Sequence, residues 1–325
     1  MRALPTGLED DDVRGAIAGA WDLDVARLTY FPEGGGSYHW LADTGAGQRH
    51  FVTVDDLDNK PWLGTHRDVA FEGLRAAYDT ALILREKAHR TFVVAPIRAN
   101  DGASLRHVGS QYSVALFPFV DGQAGTFGET PGPAERTRVL HLLAQLHQST
   151  EAVLRAPRRE WALPGRADLE AALGDVDRPW SAGPFAEPAR NALARKAEDI
   201  AQWLAAFDDL TAHVESADPH LVVTHGEPHS ANLMRVEGEL FLIDWDTVGL
   251  APPERDLWML DDGSPDGLRP YVEATGHAVD EAAISLYRLT WTLADVAAYT
   301  ALLRAPHDDT ADTAKGMAAL TTYLG

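Results

Sequence analysis

The stretch that most constrains this chain is 221–256, LVVTHGEPHSANLMRVEGELFLIDWDTVGLAPPERD. Leu221-Val222-Val223 is a short β-prone apolar run. Thr224 to Ala231 is polar and contains Gly226 and Pro228, so it reads as a loop. Asn232-Leu233-Met234 reads as a strand and Glu237-Gly238-Glu239 as a turn. Leu240 to Ile243 is a second apolar strand that stops at Asp244. A hairpin drawn this way delivers Glu227, Asn232 and Asp244 to one end. An amide and a carboxylate there suit Mg2+, a hard cation that takes few protein ligands and leaves the rest to phosphates. The upstream carboxylate of Glu227 can orient a hydroxyl nucleophile.

His225-Gly226-Glu227-Pro228-His229-Ser230-Ala231-Asn232 resembles the catalytic loop H-G-D-x-x-x-x-N of the aminoglycoside phosphotransferase family, relatives of protein kinases. Ile243-Asp244-Trp245-Asp246 resembles that family's metal loop, I-D-W-[DE], and Pro252-Pro253-Glu254-Arg255-Asp256-Leu257 is similar to the segment after it. Within that family the chain resembles the spectinomycin-phosphotransferase-like branch. The spacing matches, and Glu227 departs from the family's Asp. The resemblance implies an α+β, two-lobed, protein-kinase-like fold. Residues 1–119 would form a nucleotide-binding lobe, a small antiparallel sheet with one long helix. Residues 120–325 would form a larger, mainly helical lobe for catalysis and substrate binding.

The implied function is a nucleotide- and Mg-dependent O-phosphotransferase, with ATP or GTP as donor. The acceptor would be a hydroxyl of a small polar molecule, an aminocyclitol or another antibiotic, making this a resistance kinase. By resemblance Asn232 and Asp244 hold Mg2+, and Glu227 takes the acceptor's proton or hydrogen bond. His225 belongs to the same catalytic segment and supports the loop from beneath. Asp246, Asp256, Asp261 and Asp295 could face ammonium groups of a cationic acceptor. Two alternatives stand beside this reading: a catalytically impaired kinase-fold binding protein, and a small-metabolite kinase.

His225, Glu227 and His229 could ligate zinc, but their spacing is not the helical H-E-x-x-H arrangement and Pro228 blocks a helix there. Asp246 could be a second metal contact or a solvated or substrate-facing acid.

Upstream, Val25 to Phe31 and Tyr38 to Ala42 read as strands joined through Gly34, Gly35, Gly36 and Ser37. Consecutive glycines permit positive φ and close backbone approach. The segment is either a plain hairpin turn or a cover for a nucleotide's phosphates. In the family the third strand carries a lysine that grips the phosphates. The matching position here is Thr53, in His50 to Val54. Arg49 and Lys60 are the nearby cations that could substitute; otherwise Lys60 is a surface residue. Residues 67–89 have helical spacing, with Val69, Phe71, Leu74, Ala77, Leu82 and Leu84 as the apolar stripe. Thr91 to Pro96 and Tyr112 to Phe117 read as further strands. By resemblance Phe117, Phe119 and Val120 mark the hinge that meets the nucleobase; the alternative places both aromatics in the core.

Helices are expected at 9–20, 134–150, 188–214, 280–304 and 306–325, with short helices and loops at 155–188. His147 reads as a core-edge side chain. There is no cysteine, which removes disulfide and thiolate chemistry. The formal charge of −21 argues against nucleic acid as a partner and is compatible with a cationic one. The segment MRALPTGLEDDDVRG is acidic and lacks an apolar core, so no signal peptide is expected. No run of about eighteen apolar residues occurs, so no membrane span is expected and a cytoplasmic location is.

Overall fold

A computed structural model describes residues 4–60, 62–64 and 66–325. In chain order it begins with α1 (Asp10–Trp21), β1 (Val25–Tyr30), β2 (Ser37–Thr44), β3 (Arg49–Asp56), α2 (Arg67–Glu86), β4 (Arg106–Val108) and β5 (Tyr112–Pro118). There follow β6 (Gln123–Ala124), α3 (Pro133–His147), α4 (Arg166–Leu173), α5 (Ala186–Arg195) and α6 (Ala197–Ser216). The last part holds β7 (Val222–Thr224), β8 (Leu233–Val236), β9 (Glu239–Leu242), β10 (Gly249–Ala251), α7 (Glu254–Leu257), α8 (Arg269–Thr275), α9 (Glu281–Arg304) and α10 (Ala311–Leu324). Two compact units emerge: Met1–Arg159 with His220–Val279, and Glu160–Pro219 with Asp280–Gly325. Both sides of the expected lobe boundary at 119/120 thus contribute to the first unit.

In the first unit an antiparallel sheet runs in the order β1-β2-β3-β5-β4. Side chains alternate faces along a strand, and directly paired residues share a face. Tyr38 pairs with Val54 and Val54 with Val114, while Trp40 pairs with Val52 and Val52 with Leu116. These form one apolar face, buried with Val13, Ile17 and Trp21 of α1. The other face carries Ser37 opposite Asp55 and His39 opposite Thr53, with Ser113, Ala115 and Phe117 from β5. Polar residues on an inward face are the mark of a site rather than of a core. On that side lies Tyr78 of α2, edge-on to Phe117 with ring centroids 5.5 Å apart.

Two readings are corrected. Thr91 to Pro96 forms no strand: Val93 makes a single bridge to Leu242, with Leu242 N–H donating to Phe92 O (2.8 Å) and Val94 N–H to Leu242 O (3.0 Å). Its apolar residues are buried by this attachment to β9, without a ladder. The segment 188–214 is helical as expected, in two helices parted at Lys196. The strand after the polar loop starts at Leu233; Asn232 closes a single 3-10 turn, Ser230–Asn232. In the second unit α9 packs against α4, α5, α6 and α10, burying Leu286, Leu293, Val296 and Leu303. No described helix is long and apolar enough to cross a membrane.

Within α2, Leu74 is fully buried whereas Val69 is 52% exposed, so the helix is turned slightly from the expected stripe. Leu74→Ala is expected to lower the unfolding free energy by about 2–5 kcal/mol through the cavity it leaves. Val69→Ala should stay within about 0.5 kcal/mol of wild type. Urea denaturation of both variants checks this, and equal losses would mean that α2 presents a different face.

Candidate active site

The loop between β7 and the 3-10 turn is anchored from below. Asp256, at zero exposure, accepts the backbone N–H of His225 (2.8 Å) and of Gly226 (2.6 Å). Its Oδ2 also meets His147 Nε2 at 3.0 Å, and His147 Nδ1 lies 2.7 Å from the Tyr271 hydroxyl. A carboxylate only accepts, so Nε2 carries the proton, and in the neutral imidazole Nδ1 accepts from Tyr271. Burial alone would raise the Asp256 carboxyl. The hydrogen bond from His147 and the positive charge of Arg255 outweigh it and hold the group below its ordinary value.

Arg255 ties the same loop from the side, donating to Thr224 Oγ1 (2.8 Å) and Thr247 O (3.0 Å). Its guanidinium passes over Gly226, where a Cβ would lie 2.3 Å from Nη2 and where φ is +101°. Only glycine suits that position.

His225 is buried beneath the loop. Its Nε2 meets Ile243 O at 2.9 Å, and Glu227 N–H donates to its Nδ1 at 3.3 Å. Both ring nitrogens are occupied, and burial pushes the imidazole below its ordinary pKa. His225 therefore positions the loop as a neutral spacer against the segment that carries Asp244, with both ring nitrogens taken up by the backbone. Among the described residues no group of three or more His, Asp or Glu is arranged to hold a metal ion.

β8 and β9 pair Leu233 with Leu242, and Ile243 N–H donates to Asn232 O at 3.1 Å. Asn232 and Asp244 therefore leave the hairpin at the same end. The Asn232 amide donates to Glu227 O at 3.0 Å, which turns its Oδ1 away as an acceptor. Asp244 has φ +64°, a conformation that Asp tolerates better than most residues and that often marks a functional turn. Solvent reaches its side chain although protein atoms crowd it. Desolvation, then the charges of Asp246 and Glu227, push its carboxyl well above the ordinary range. Glu227 is one-third exposed, with Oε2 at 3.7 Å from His229 Nε2.

Asp246 is 7% exposed, and its Oδ2 lies 2.7 Å from Lys60 Nζ. Lys60 in turn is 1% exposed and reaches Asp55 Oδ1 at 2.9 Å and Ser37 Oγ at 3.2 Å. The surface reading of Lys60 is wrong. Burial alone would drive its ammonium toward neutrality, but Asp246 and then Asp55 overwhelm that, and its pKa stands above the ordinary value.

The remaining candidates lie as follows. Gly34, Gly35 and Gly36 form an exposed loop between β1 and β2, with φ +83° at Gly34 and +84° at Gly36. Thr53 is buried in the middle of β3, opposite His39 and Ala115. Phe117 is core, packed against Tyr78; Phe119 is 37% exposed beneath the Arg49 guanidinium; and Val120 is half-buried. Asp256 is an internal anchor and not a substrate contact. Asp261 accepts from Gly263 N–H in a local turn. Asp295 belongs to the second unit, where it accepts from the Tyr323 hydroxyl at 2.5 Å. Sequence reading missed Asp55, whose signal was an acid at an inward position of a buried strand. It also missed the anchoring roles of Asp256, Arg255 and His147, which lie far along the chain from the loop they hold.

The loop that carries Glu227 is thus held beside Asn232 and Asp244 at a hairpin's end, in the unit that holds the antiparallel sheet and α2. Solved structures share the fold. A spectinomycin phosphotransferase, APH(9)-Ia, in complex with ADP and spectinomycin matches with a TM-score of 0.74 at 15% identity, covering 98% of this chain and 95% of that one. An amicoumacin kinase in complex with AMP-PNP and Ca2+ matches at 0.61 and 13% identity over 98% and 93%. The choline kinase LicA of Streptococcus pneumoniae matches at 0.58 and 14% identity over 97% and 98%.

The model of the phosphotransferase enzyme family matches residues 29–299, and the chain belongs to that family. Protein StrN of Streptomyces griseus is 26% identical over 279 residues, 81% of this chain and 80% of StrN.

Asp256→Asn is expected to cost about 1–3 kcal/mol, since an amide replaces a charged acceptor among buried donors. A depressed folded-state pKa contributes stability that is present above the ordinary value of 3.8 and is lost as pH falls through the lower folded value. The gap between wild type and variant should therefore hold steady at neutral pH and close in acid. Denaturation at several pH values measures it; a gap that widens in acid would mean that Asp256 is not the anchor.

Proposed function

We propose that this phosphotransferase moves the terminal phosphoryl group of a nucleoside triphosphate to a hydroxyl of a small cationic molecule, an aminocyclitol or related antibiotic. The observation that carries this reading is the shared end of the β8–β9 hairpin, from which Asn232 and Asp244 emerge beside the anchored Glu227 loop.

Mg2+ fits the residues present. The carboxyl groups of Asp246, Glu227 and Asp55 and the ammonium of Lys60 all act on Asp244. The acids there suit a cation that shares their charge. Asn232 Oδ1 and the Asp244 carboxylate are the hard oxygen donors that would hold the ion. When bound, Mg2+ would neutralise charge on the phosphate oxygens.

The chain's own residues do the rest. Glu227 accepts the acceptor hydroxyl's proton as its oxygen forms the new bond to phosphorus and the bond to the leaving diphosphate breaks. Asp256 and His225 keep the Glu227 backbone in place while this happens. Positioning of this kind supplies much of the acceleration in phosphoryl transfer. Glutamate is one methylene longer than the family's aspartate, so the acceptor sits about an ångström farther from the loop backbone. The charge of −21 supports a cationic acceptor. Asp261, half-buried after the metal loop, is a candidate contact for it.

Incubation with Mg-ATP or Mg-GTP and a panel of aminocyclitol antibiotics tests this, read as diphosphate release and a phosphate mass gain on the acceptor. Nucleotide binding without transfer to any hydroxyl would favour a binding protein, and transfer to choline-like metabolites alone would favour a metabolite kinase.

Asp244→Ala should abolish Mg-nucleotide-dependent turnover while circular dichroism shows the fold retained; unchanged turnover would place the metal elsewhere. Glu227→Gln should lower kcat by about 100- to 10,000-fold and leave nucleotide affinity nearly unchanged. Equal loss in both would put Glu227 at the nucleotide.

A further inference from the structure

A polyanion brought up to Asp244, on which the charges of Asp246, Glu227 and Asp55 already act, is repelled unless cations meet it, and one cation, Lys60, is already built in. Lys60 follows a 3-10 turn, Leu57–Asn59, that Asp56 caps: its side chain accepts from Asp58 N–H (3.1 Å) and from Asn59 Nδ2 (2.7 Å). The turn fixes where Lys60 begins, and two carboxylates fix where its ammonium ends. Nζ has three donors, and each is used: Asp246 at 2.7 Å, Asp55 at 2.9 Å and Ser37 Oγ at 3.2 Å. Ser37 is the longest of these contacts and the one uncharged partner. It also follows directly on the exposed Gly34–Gly36 loop, and it spends its own proton on Asp55 Oδ1 at 2.6 Å. A charged phosphate oxygen is a stronger acceptor than a serine hydroxyl. Exchange at this one bond leaves both carboxylate contacts intact. Arg49, the other nearby cation, is exposed on the sheet and bound to Asp43 at 2.6 Å.

We propose that Lys60, clamped between Asp55 and Asp246, is the fixed cation that grips the donor's phosphate chain, giving up its bond to Ser37 for a phosphate oxygen. The proposal rests on the phosphotransferase reading above. It assigns the phosphate-binding charge to the turn after β3, while Thr53 within that strand carries none.

Calorimetric titration tests it. Wild type, Lys60→Met and Lys60→Met/Thr53→Lys are each titrated with ADP and GDP, and with adenosine and guanosine, in Mg2+. Wild type should bind a diphosphate more tightly than its nucleoside. Lys60→Met should lose about ten- to hundred-fold in diphosphate affinity, the range for a hydrogen bond to a charged group, with nucleoside affinity nearly unmoved. Thr53→Lys in that background should recover part of the loss by returning an ammonium to the same sheet face. A purely structural lysine would lower both affinities together. Because Lys60→Met leaves buried acids unpaired, Lys60→Met/Asp246→Asn serves as the second variant and should show the same selective loss. An unchanged diphosphate-to-nucleoside ratio in either folded variant overturns the proposal but leaves the phosphotransferase reading standing. Wild type that binds no nucleotide overturns both.

Discussion

The Asp256 carboxylate is the interaction on which the rest of the site depends. Taking a charged carboxylate wholly out of water is costly unless it is hydrogen-bonded. Here the N–H groups of His225 and Gly226 and the imidazole of His147 offset that cost. The same bonds deny the loop any freedom. Arg255 closes it from the other side, crossing Gly226 where no side chain would fit. With the backbone held twice, the direction of Glu227 follows from the chain itself and not from a bound ligand.

Two acids two residues apart then meet different fates. Asp246 turns inward and is satisfied by Lys60. Asp244, in a left-handed turn at the end of β9, stays in contact with solvent and among like charges. The protein neutralises one and leaves the other among like charges, which is the basis of the magnesium site proposed above. His225 separates the two loops and fixes their spacing through its bond to Ile243 O.

Much of this could be read from the residues because the decisive features are local. The spacing from His225 to Asn232, the turn at Glu237-Gly238 and the stop at Asp244 lie within one hairpin, and short-range chemistry sets their geometry. What could not be read was decided over distance. Lys60 sits in DDLDNK, a composition that looks like solvated surface, and its burial depends on Asp246, 186 positions later in the chain. Asp256 looks like an acid available to a cationic ligand; only the fold shows it pointing inward, beneath the loop. Thr91 to Pro96 has the pattern of a strand, but its backbone found β9 instead of the sheet.

The most direct measurement is a crystal structure with Mn2+ in place of Mg2+ and a non-hydrolysable nucleoside triphosphate, collected for anomalous signal. The account predicts a manganese peak bonded to Asn232 Oδ1 and the Asp244 carboxylate, with the terminal phosphate facing Glu227. A peak on His225 or His229, or phosphates lying away from Asp244, would contradict it.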